Sequence, residues 1–165
     1  MIVISDTSVI SGLIKIRKLS LLQKVFSEVI IPPEVQSELK ELERFDYDLS
    51  IFKKADWILI RTPEDKKLIA QLEQVLDRGE AEAIALAKEL KADFVLIDEK
   101  KGRSAAEQQG LNVVGLIGIL VRAKRLNFIV HIKPLLDGLI KHNFRISSTL
   151  YESVLKKVGE WENGS

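Results

Sequence analysis

"VISDTSVISGLI", residues 3–14, joins a short apolar run to an aspartate and two hydroxyl side chains. Apolar runs of this length, without polar alternation, are typical of strands that are buried on both faces. Asp6 follows the strand directly, and an ionised carboxylate there is costly to bury unless a cation or hydrogen-bond donors meet it. The stretch therefore predicts a buried strand that ends at a polar site.

Four further apolar runs lie at residues 29–31, 57–60, 94–97 and 112–114. Helical patterns separate them: one begins at Pro33, one follows a predicted Asp77 N-cap, and one ends at Gly110. Three more helices are predicted between residue 115 and residue 160. Strands that alternate with helices in this way predict an α/β fold with a parallel sheet.

The composition is that of an ordinary globular protein of about one domain, with 165 residues, 46% of them hydrophobic and 30% charged. The net charge is +1, so any binding of nucleic acid would need a local basic surface. The chain has no cysteine and two histidines, so metal chemistry would rest on carboxylates. No apolar run approaches the roughly 18 residues of a membrane span, and a cytoplasmic protein without membrane contact is expected.

Carboxylates follow the predicted strands or begin the helices beside them. In open α/β sheets, ligands bind beyond the carboxyl ends of the strands, so these side chains are expected to converge. Clustered carboxylates raise one another's pKa unless a cation neutralises them, and hard oxygen ligands select Mg²⁺ or Mn²⁺. The candidate residues are Asp6, Glu38, Glu80, Glu82, Asp98 and Glu99.

Glu38 is the most informative of the helical candidates. At 100° per residue it lies about 40° from Leu42 and about 60° from Val35, within the apolar stripe of its helix. Glu34 and Glu41 lie farther round and are expected to face solvent.

The other candidates have structural alternatives. Asp6 could cap the helix that follows it, and Asp98 could be a turn or cap residue. Glu80 stands three residues after Asp77, which is the spacing of a capping box. Glu80 and Glu82 flank the apolar face of their helix at similar angles, so periodicity does not choose between them.

Four segments together resemble the PIN domain family, in particular its VapC-type ribonucleases, in the right order over residues 2 to about 125. The segments are "VISDTSVISGLI", "IIPPEVQSEL", "DRGEAEAIALAKEL" and "FVLIDEKKGRSAAEQQGLNVVG". The resemblance implies a three-layer α/β/α sandwich with a central parallel sheet. It also implies an acidic pocket that binds one or two Mg²⁺ or Mn²⁺ ions and a protein that hydrolyses RNA.

The resemblance places the family's first, second and fourth acids on Asp6, Glu38 and Asp98. The third falls on Glu80 by its spacing, where the family usually has aspartate, and "GEAEA" also resembles the Glu-x-Glu of flap-type nucleases, which adds Glu82. All five are predicted to be catalytic, and the predicted metal ligands are Asp6, Glu80, Glu82 and Asp98. Hydroxyl and acidic neighbours are predicted to support these ligands or their water molecules, namely Thr7, Ser8 and Glu99.

Basic residues just past Asp98 are predicted to contact the RNA backbone, with an ordinary solvated loop as the alternative; they are Lys100, Lys101 and Arg103. Phe144, Tyr151 and Trp161 are expected to be packing residues, and no role is predicted for either histidine. The resemblance adds two expected protein partners. One is a small antitoxin whose C-terminal segment enters the acidic groove, and the other is a second copy of the chain in a homodimer.

Residues 1–165 are predicted to form a single domain, with a core of about residues 1–125 and a helical extension of about residues 126–160. The extension could pack on its own sheet, on a second subunit or on an antitoxin, and the first is expected. The predicted function is that of a metal-dependent ribonuclease, the toxin of a toxin–antitoxin pair. The alternative is a catalytically weak PIN-like module that binds RNA or protein.

Overall fold

The computed structural model describes residues 1–162 and contains a five-stranded, entirely parallel sheet. The sheet order is β3-β2-β1-β4-β5. The strands are β1 (Val3–Ser5), β2 (Val29–Ile31), β3 (Ile58–Ile60), β4 (Phe94–Leu96) and β5 (Val113–Val114). Each strand lies within one residue of its predicted position.

Helices connect the strands and cover both faces of the sheet, so the predicted α/β/α sandwich is confirmed. A short 3-10 helix, Glu41–Phe45, follows the third α-helix. In the described chain the α-helices are α1 (Thr7–Lys15), α2 (Ser20–Phe26), α3 (Pro33–Lys40), α4 (Ser50–Lys54), α5 (Lys66–Leu72), α6 (Arg78–Glu89), α7 (Lys100–Gln108), α8 (Leu116–Arg125), α9 (Lys133–Lys141) and α10 (Ser148–Lys157).

The strands are buried on both faces because alternate side chains enter two apolar cores. Val3 and Leu96 pack into the core formed with α1, α2, α8, α9 and α10. Ile4 and Val95 pack into the core formed with α5, α6 and α7. Helix α3 contacts both α1 and α6, and so brings its side chains to the place where the two helical layers meet.

The segment after residue 125 packs on the domain itself. Ile132, Leu136 and Leu155 are fully buried in the same core as α1. Glu160 fixes the arrangement, since its carboxylate accepts hydrogen bonds from the Ile132 N–H at 2.8 Å and from Lys124 Nζ at 2.7 Å. The helical extension therefore belongs to one of the two layers.

Three helices were not anticipated from the sequence, namely α2, α4 and α5. They are seven, five and seven residues long, too short to show a clear amphipathic period. A bilayer-spanning helix is absent from the part of the chain that the structure describes.

The strand order places the candidate site. The chain runs outward from β1 through β2 to β3, and then returns to the other side of β1 as β4. The strand order thus reverses between β1 and β4. In open α/β sheets, ligands bind in the crevice beyond the carboxyl ends of the strands at such a reversal point.

Candidate acidic site

Asp6 leaves β1 at this reversal point and is 1% exposed. It is the N-cap of α1, and its carboxylate accepts a hydrogen bond from the Val9 N–H at 3.3 Å. Ser8 Oγ lies 2.9 Å from both Asp6 carboxylate oxygens and donates to them. The capping alternative is therefore correct, and the same carboxylate also lines a pocket.

The pocket has a volume of about 160 Å³ and lies beyond the ends of β1 and β4. Five of its lining residues carry carboxyl groups, and among residues 1–162 no lysine or arginine lines it. The lining residues are Asp6, Thr7, Ser8, Ser11, Glu38, Asp77, Glu80 and Glu99. Such a concentration of like charge is unfavourable unless protons or a cation neutralise it.

Glu80 is the carboxylate that α6 brings into the pocket, and it is 7% exposed. Asp77 caps α6 by accepting the Glu80 N–H at 2.9 Å, which is one half of the predicted capping box. The Glu80 carboxylate itself lines the pocket, and its buried Oε2 makes no hydrogen bond within the described residues. A Cβ at Gly102 would collide with this carboxylate, so glycine is needed for α7 to approach it.

Asp77, Glu80 and Glu99 form a cluster that could hold a metal ion. Each offers one carboxylate oxygen, and the three atoms lie within 4.8 Å of one another. Glu99 was predicted only to support the ligands, and Asp77 only to cap the helix. Sequence reasoning therefore missed Asp77, although its place at the start of the helix that carries Glu80 was a usable signal.

Burial raises the pKa of the Asp6 carboxyl to about 7, although hydrogen bonds from Ser8 and Val9 act in the opposite direction. Burial likewise raises the pKa of Glu80 to about 8, and the charges of Asp77 and Glu99 add to this effect. Near neutral pH, these two carboxyls therefore hold protons that a bound cation would displace.

Glu38 reaches the same pocket from α3. The Thr7 hydroxyl donates a hydrogen bond to Glu38 Oε2. A Cβ at Gly79 would lie 2.5 Å from that oxygen, so a larger residue at this position would displace the Glu38 carboxylate. Burial raises the pKa of Glu38, and the hydrogen bond from Thr7 opposes the rise.

Asp98 does not lie where a direct pocket ligand was expected. Its Oδ1 accepts a hydrogen bond from the Leu116 N–H at 3.1 Å, at the start of α8. Its side chain lines two neighbouring cavities, while the next residue, Glu99, lines the acidic pocket. Burial raises the pKa of Asp98, and the Leu116 N–H and the Arg103 charge oppose this. Asp98 is still coupled to the site, because its N–H donates to Ser8 Oγ at 3.3 Å.

Glu82 also departs from the expectation, since it does not line the pocket. Two residues along a helix correspond to about 200°, so Glu80 and Glu82 leave α6 in opposite directions. Glu82 Oε1 instead lies 3.7 Å from Arg78 Nε. Burial raises the pKa of Glu82, and the Arg78 charge opposes the rise.

The predicted RNA-contacting residues separate in the structure. Lys100 lines a cavity of about 750 Å³ beside the acidic pocket, and Arg103 lines one of about 400 Å³. Lys101 is exposed and lines neither cavity. Phe144 lines both cavities and His142 the larger one, so two residues without a predicted binding role lie beside the candidate site.

A family model whose description is PIN domain matches residues 2–160 of the chain. The match includes the C-terminal helices, beyond the region of about residues 2–125 that carries the sequence resemblance. Comparison with curated proteins gave no match.

Proposed function

The chain belongs to the PIN domain family, and from this membership and the acidic pocket we propose that it is a Mg²⁺- or Mn²⁺-dependent endoribonuclease. PIN domains are generally nucleases, and this supports the proposal of a phosphodiester hydrolase. The observation that carries the proposal is the buried Glu80 carboxylate. It has an oxygen without a hydrogen-bond partner among the described residues and lies beside the carboxylates of Asp77 and Glu99.

The chemistry of these donors suits a hard divalent cation. Mg²⁺ and Mn²⁺ prefer carboxylate oxygens, and a few protein carboxylates leave room for water and a substrate phosphate. Asp77, Glu80 and Glu99 would hold the ion, with Asp6 as the neighbouring carboxylate. A bound cation supplies positive charge for the transition state of phosphodiester hydrolysis and makes water acidic enough to yield a nucleophile at neutral pH.

The surrounding residues orient the carboxylates. Ser8 holds both oxygens of Asp6 and also accepts the Asp98 N–H, so one hydroxyl ties the ends of β1 and β4 together. The Thr7 hydroxyl fixes Glu38 at the pocket wall. Glu38 and Asp6 are thereby placed to accept protons from water within the pocket once their own carboxyls are ionised.

Cleavage of an end-labelled, single-stranded RNA of mixed sequence tests this proposal. We expect cutting with Mn²⁺ or Mg²⁺, none with EDTA, and a loss of at least about 100-fold in Asp6→Asn and Glu80→Gln, because each removes a pocket carboxylate. Glu82→Gln is the matched control, since it changes a glutamate of the same helix outside the pocket. A native chain that binds RNA without cutting it would favour the binding-module alternative.

We also propose, from the resemblance to VapC-type ribonucleases, that the chain acts as the toxin of a toxin–antitoxin pair. Induced expression is expected to arrest bacterial growth, and Glu80→Gln is expected to abolish the arrest at equal protein level. Normal growth with a fully active ribonuclease would instead support a processing enzyme.

A further inference from the structure

A larger cavity adjoins the acidic pocket, and a smaller cavity shares with it a wall formed by the loop between α9 and α10. The larger has a volume of about 750 Å³ and the smaller about 400 Å³. Asp98, Phe144 and Arg145 line both cavities. We call the two cavities and this shared wall the flanking groove.

The larger cavity lies directly beside the acidic pocket, because Ser8, Ser11 and Glu99 line both. Basic side chains lie on both sides of the shared wall: Lys15 and Lys100 in the larger cavity, and Arg103 in the smaller. A chain with a net charge of +1 thus gathers cationic groups beside its most acidic site. A polyanion that presents one phosphate to the acidic pocket would place its neighbouring phosphates beside these groups.

The loop that carries the shared wall is held in a defined conformation. Asn143 has φ of 67°, in the left-handed region that asparagine tolerates better than most residues. At this turn the Asn143 N–H donates to the Ile140 carbonyl at 3.0 Å and the Phe144 N–H donates to the Leu139 carbonyl at 2.9 Å. These bonds terminate α9 in the manner of a helix C-cap. The half-buried Phe144 side chain also packs against the core that contains α1 and α9, as predicted, so both its backbone and its ring are held in place.

A second aromatic surface is fixed at the rim of the larger cavity. His142 Nδ1 lies 3.1 Å from the Tyr47 hydroxyl, and the two ring centroids are 5.7 Å apart. Lys15 Nζ lies 5.6 Å from the centroid of the Tyr47 ring. The groove therefore combines positioned aromatic rings with cationic groups, the combination that binds single-stranded nucleic acid by stacking and phosphate contacts.

We propose that the flanking groove binds the nucleotides on one side of the cleaved bond in single-stranded RNA, with Phe144 as the stacking surface and Arg145 as the phosphate contact. This inference rests on the proposed ribonuclease function and adds the residues that select the cleavage position. The volume of 750 Å³ falls within the range of about 300–1,000 Å³ that holds small ligands, so it suits a nucleotide rather than a helix. A base enters such a cavity only when it is unstacked, which favours a single strand.

Binding of a labelled single-stranded RNA, followed by fluorescence anisotropy with Mg²⁺ at several salt concentrations, tests the groove. The Asp6→Asn chain serves as the background in which cleavage is blocked, and it keeps Asp77, Glu80 and Glu99 to hold Mg²⁺. We expect Arg145→Ala to weaken binding and to reduce the slope of log K against log salt by about 0.7, the value for one single-strand phosphate contact. We expect Phe144→Leu to weaken binding about fivefold or more, and Phe144→Tyr to retain the parent affinity, because only the aromatic variant keeps a stacking face.

Matched controls separate the groove from general charge and folding effects. Lys141→Ala removes an exposed charge from the end of α9, and Phe128→Leu changes an aromatic residue that is 39% exposed and lines neither cavity. Both controls are expected to bind RNA as the background chain does, and thermal melts check that every variant is folded. Binding by Phe144→Leu and Arg145→Ala within twofold of the background, with the same salt slope, would overturn the proposal.

A cleavage assay distinguishes failure of the groove from failure of the proposed function. In the chain with Asp6 intact, Phe144→Leu is expected to raise KM and shift the cleavage positions on mixed-sequence RNA, with Mn²⁺ affinity unchanged. An unchanged KM and cleavage pattern would refute the groove while the ribonuclease stands. A native chain that cuts no RNA would refute the ribonuclease, and the binding comparison would then decide the groove alone.

Discussion

Replacing Asp6 by asparagine should stabilise the metal-free protein at alkaline pH. Asp6 is 1% exposed, so its ionised form is poorly solvated, and no lysine or arginine of the described chain lines its pocket to neutralise the charge. Asparagine removes the charge and keeps a side-chain oxygen that can accept the Val9 N–H at the start of α1. The substitution therefore isolates the effect of the charge from that of the helix cap.

The size of the effect follows from the raised pKa. The Asp6 carboxyl has a pKa of about 7 in the folded chain and 3.8 as its ordinary value, a difference of about three units that corresponds to roughly 4 kcal/mol. Between these pKa values the unfolded chain has released the proton and the folded chain keeps it, so stability falls as pH rises and the loss is complete above about pH 7. Near pH 4 the Asp6 carboxyl lowers the free energy of unfolding by less than about 1 kcal/mol.

Urea and thermal unfolding in EDTA, at pH 8 and near pH 4, measure this difference. We expect Asp6→Asn to be more stable than the native chain at pH 8 by about 2–4 kcal/mol, or about 6–12 °C in Tm, with little difference near pH 4. Asp65→Asn is the matched control, because Asp65 caps α5 through the Leu68 N–H but is exposed. A destabilised Asp6→Asn chain at pH 8, or an effect that does not change with pH, would refute the reasoning.

Three further predictions concern metal binding, measured by calorimetry with Mn²⁺. Glu80→Gln should lose Mn²⁺ binding, whereas Glu82→Gln should bind Mn²⁺ within twofold of the native affinity because its side chain lies outside the pocket. Equal losses of affinity in the two variants would contradict the assignment of Glu80 as the metal-binding glutamate of α6. Gly102→Ala should weaken binding at least about tenfold, since the new Cβ displaces the Glu80 carboxylate, and native affinity in this variant would contradict it. Affinity should rise with pH up to about 8, with proton release on binding, because the pKa of Asp6 is about 7 and that of Glu80 about 8; pH-independent affinity would contradict this.

The sheet could be predicted from the sequence because a parallel strand with helices on both faces appears as a continuous run of apolar residues. Runs such as residues 29–31 and 94–97 are apolar on both sides of the backbone, and each became a strand within one residue. The short helices α4 and α5 lack such a signal, since five to seven residues give too few turns for an apolar stripe. Their positions depend on the sheet that they cover.

The general position of the site was also predictable, but the choice between neighbouring acids was not. Asp6, Glu38 and Glu80 meet at one pocket because strand order and helix packing bring their elements together. Whether Asp98 or Glu99 enters that pocket depends on the turn between β4 and α7. The Leu116 N–H at the start of α8 donates a hydrogen bond to the Asp98 carboxylate, and Glu99 lines the pocket instead. The Leu116 N–H belongs to an element well beyond Asp98 in the sequence, so local sequence patterns do not reveal this hydrogen bond.

The energetic cost of the pocket is itself an argument for a cation. A carboxylate that serves only as an N-cap stabilises the folded protein when it is exposed and ionised, because it lies near the positive end of the helix dipole. Asp6 and Glu80 are instead buried together, and burial raises the pKa of both carboxyls. At alkaline pH both are ionised in the folded chain, and their buried negative charges destabilise it. A ligand that binds only the folded state at 100 times its Kd contributes about 2.7 kcal/mol, which is comparable to the roughly 4 kcal/mol cost of Asp6. Stabilisation by Mn²⁺ at pH 8 that disappears near pH 4 is therefore the property that would distinguish this pocket from a set of ordinary caps.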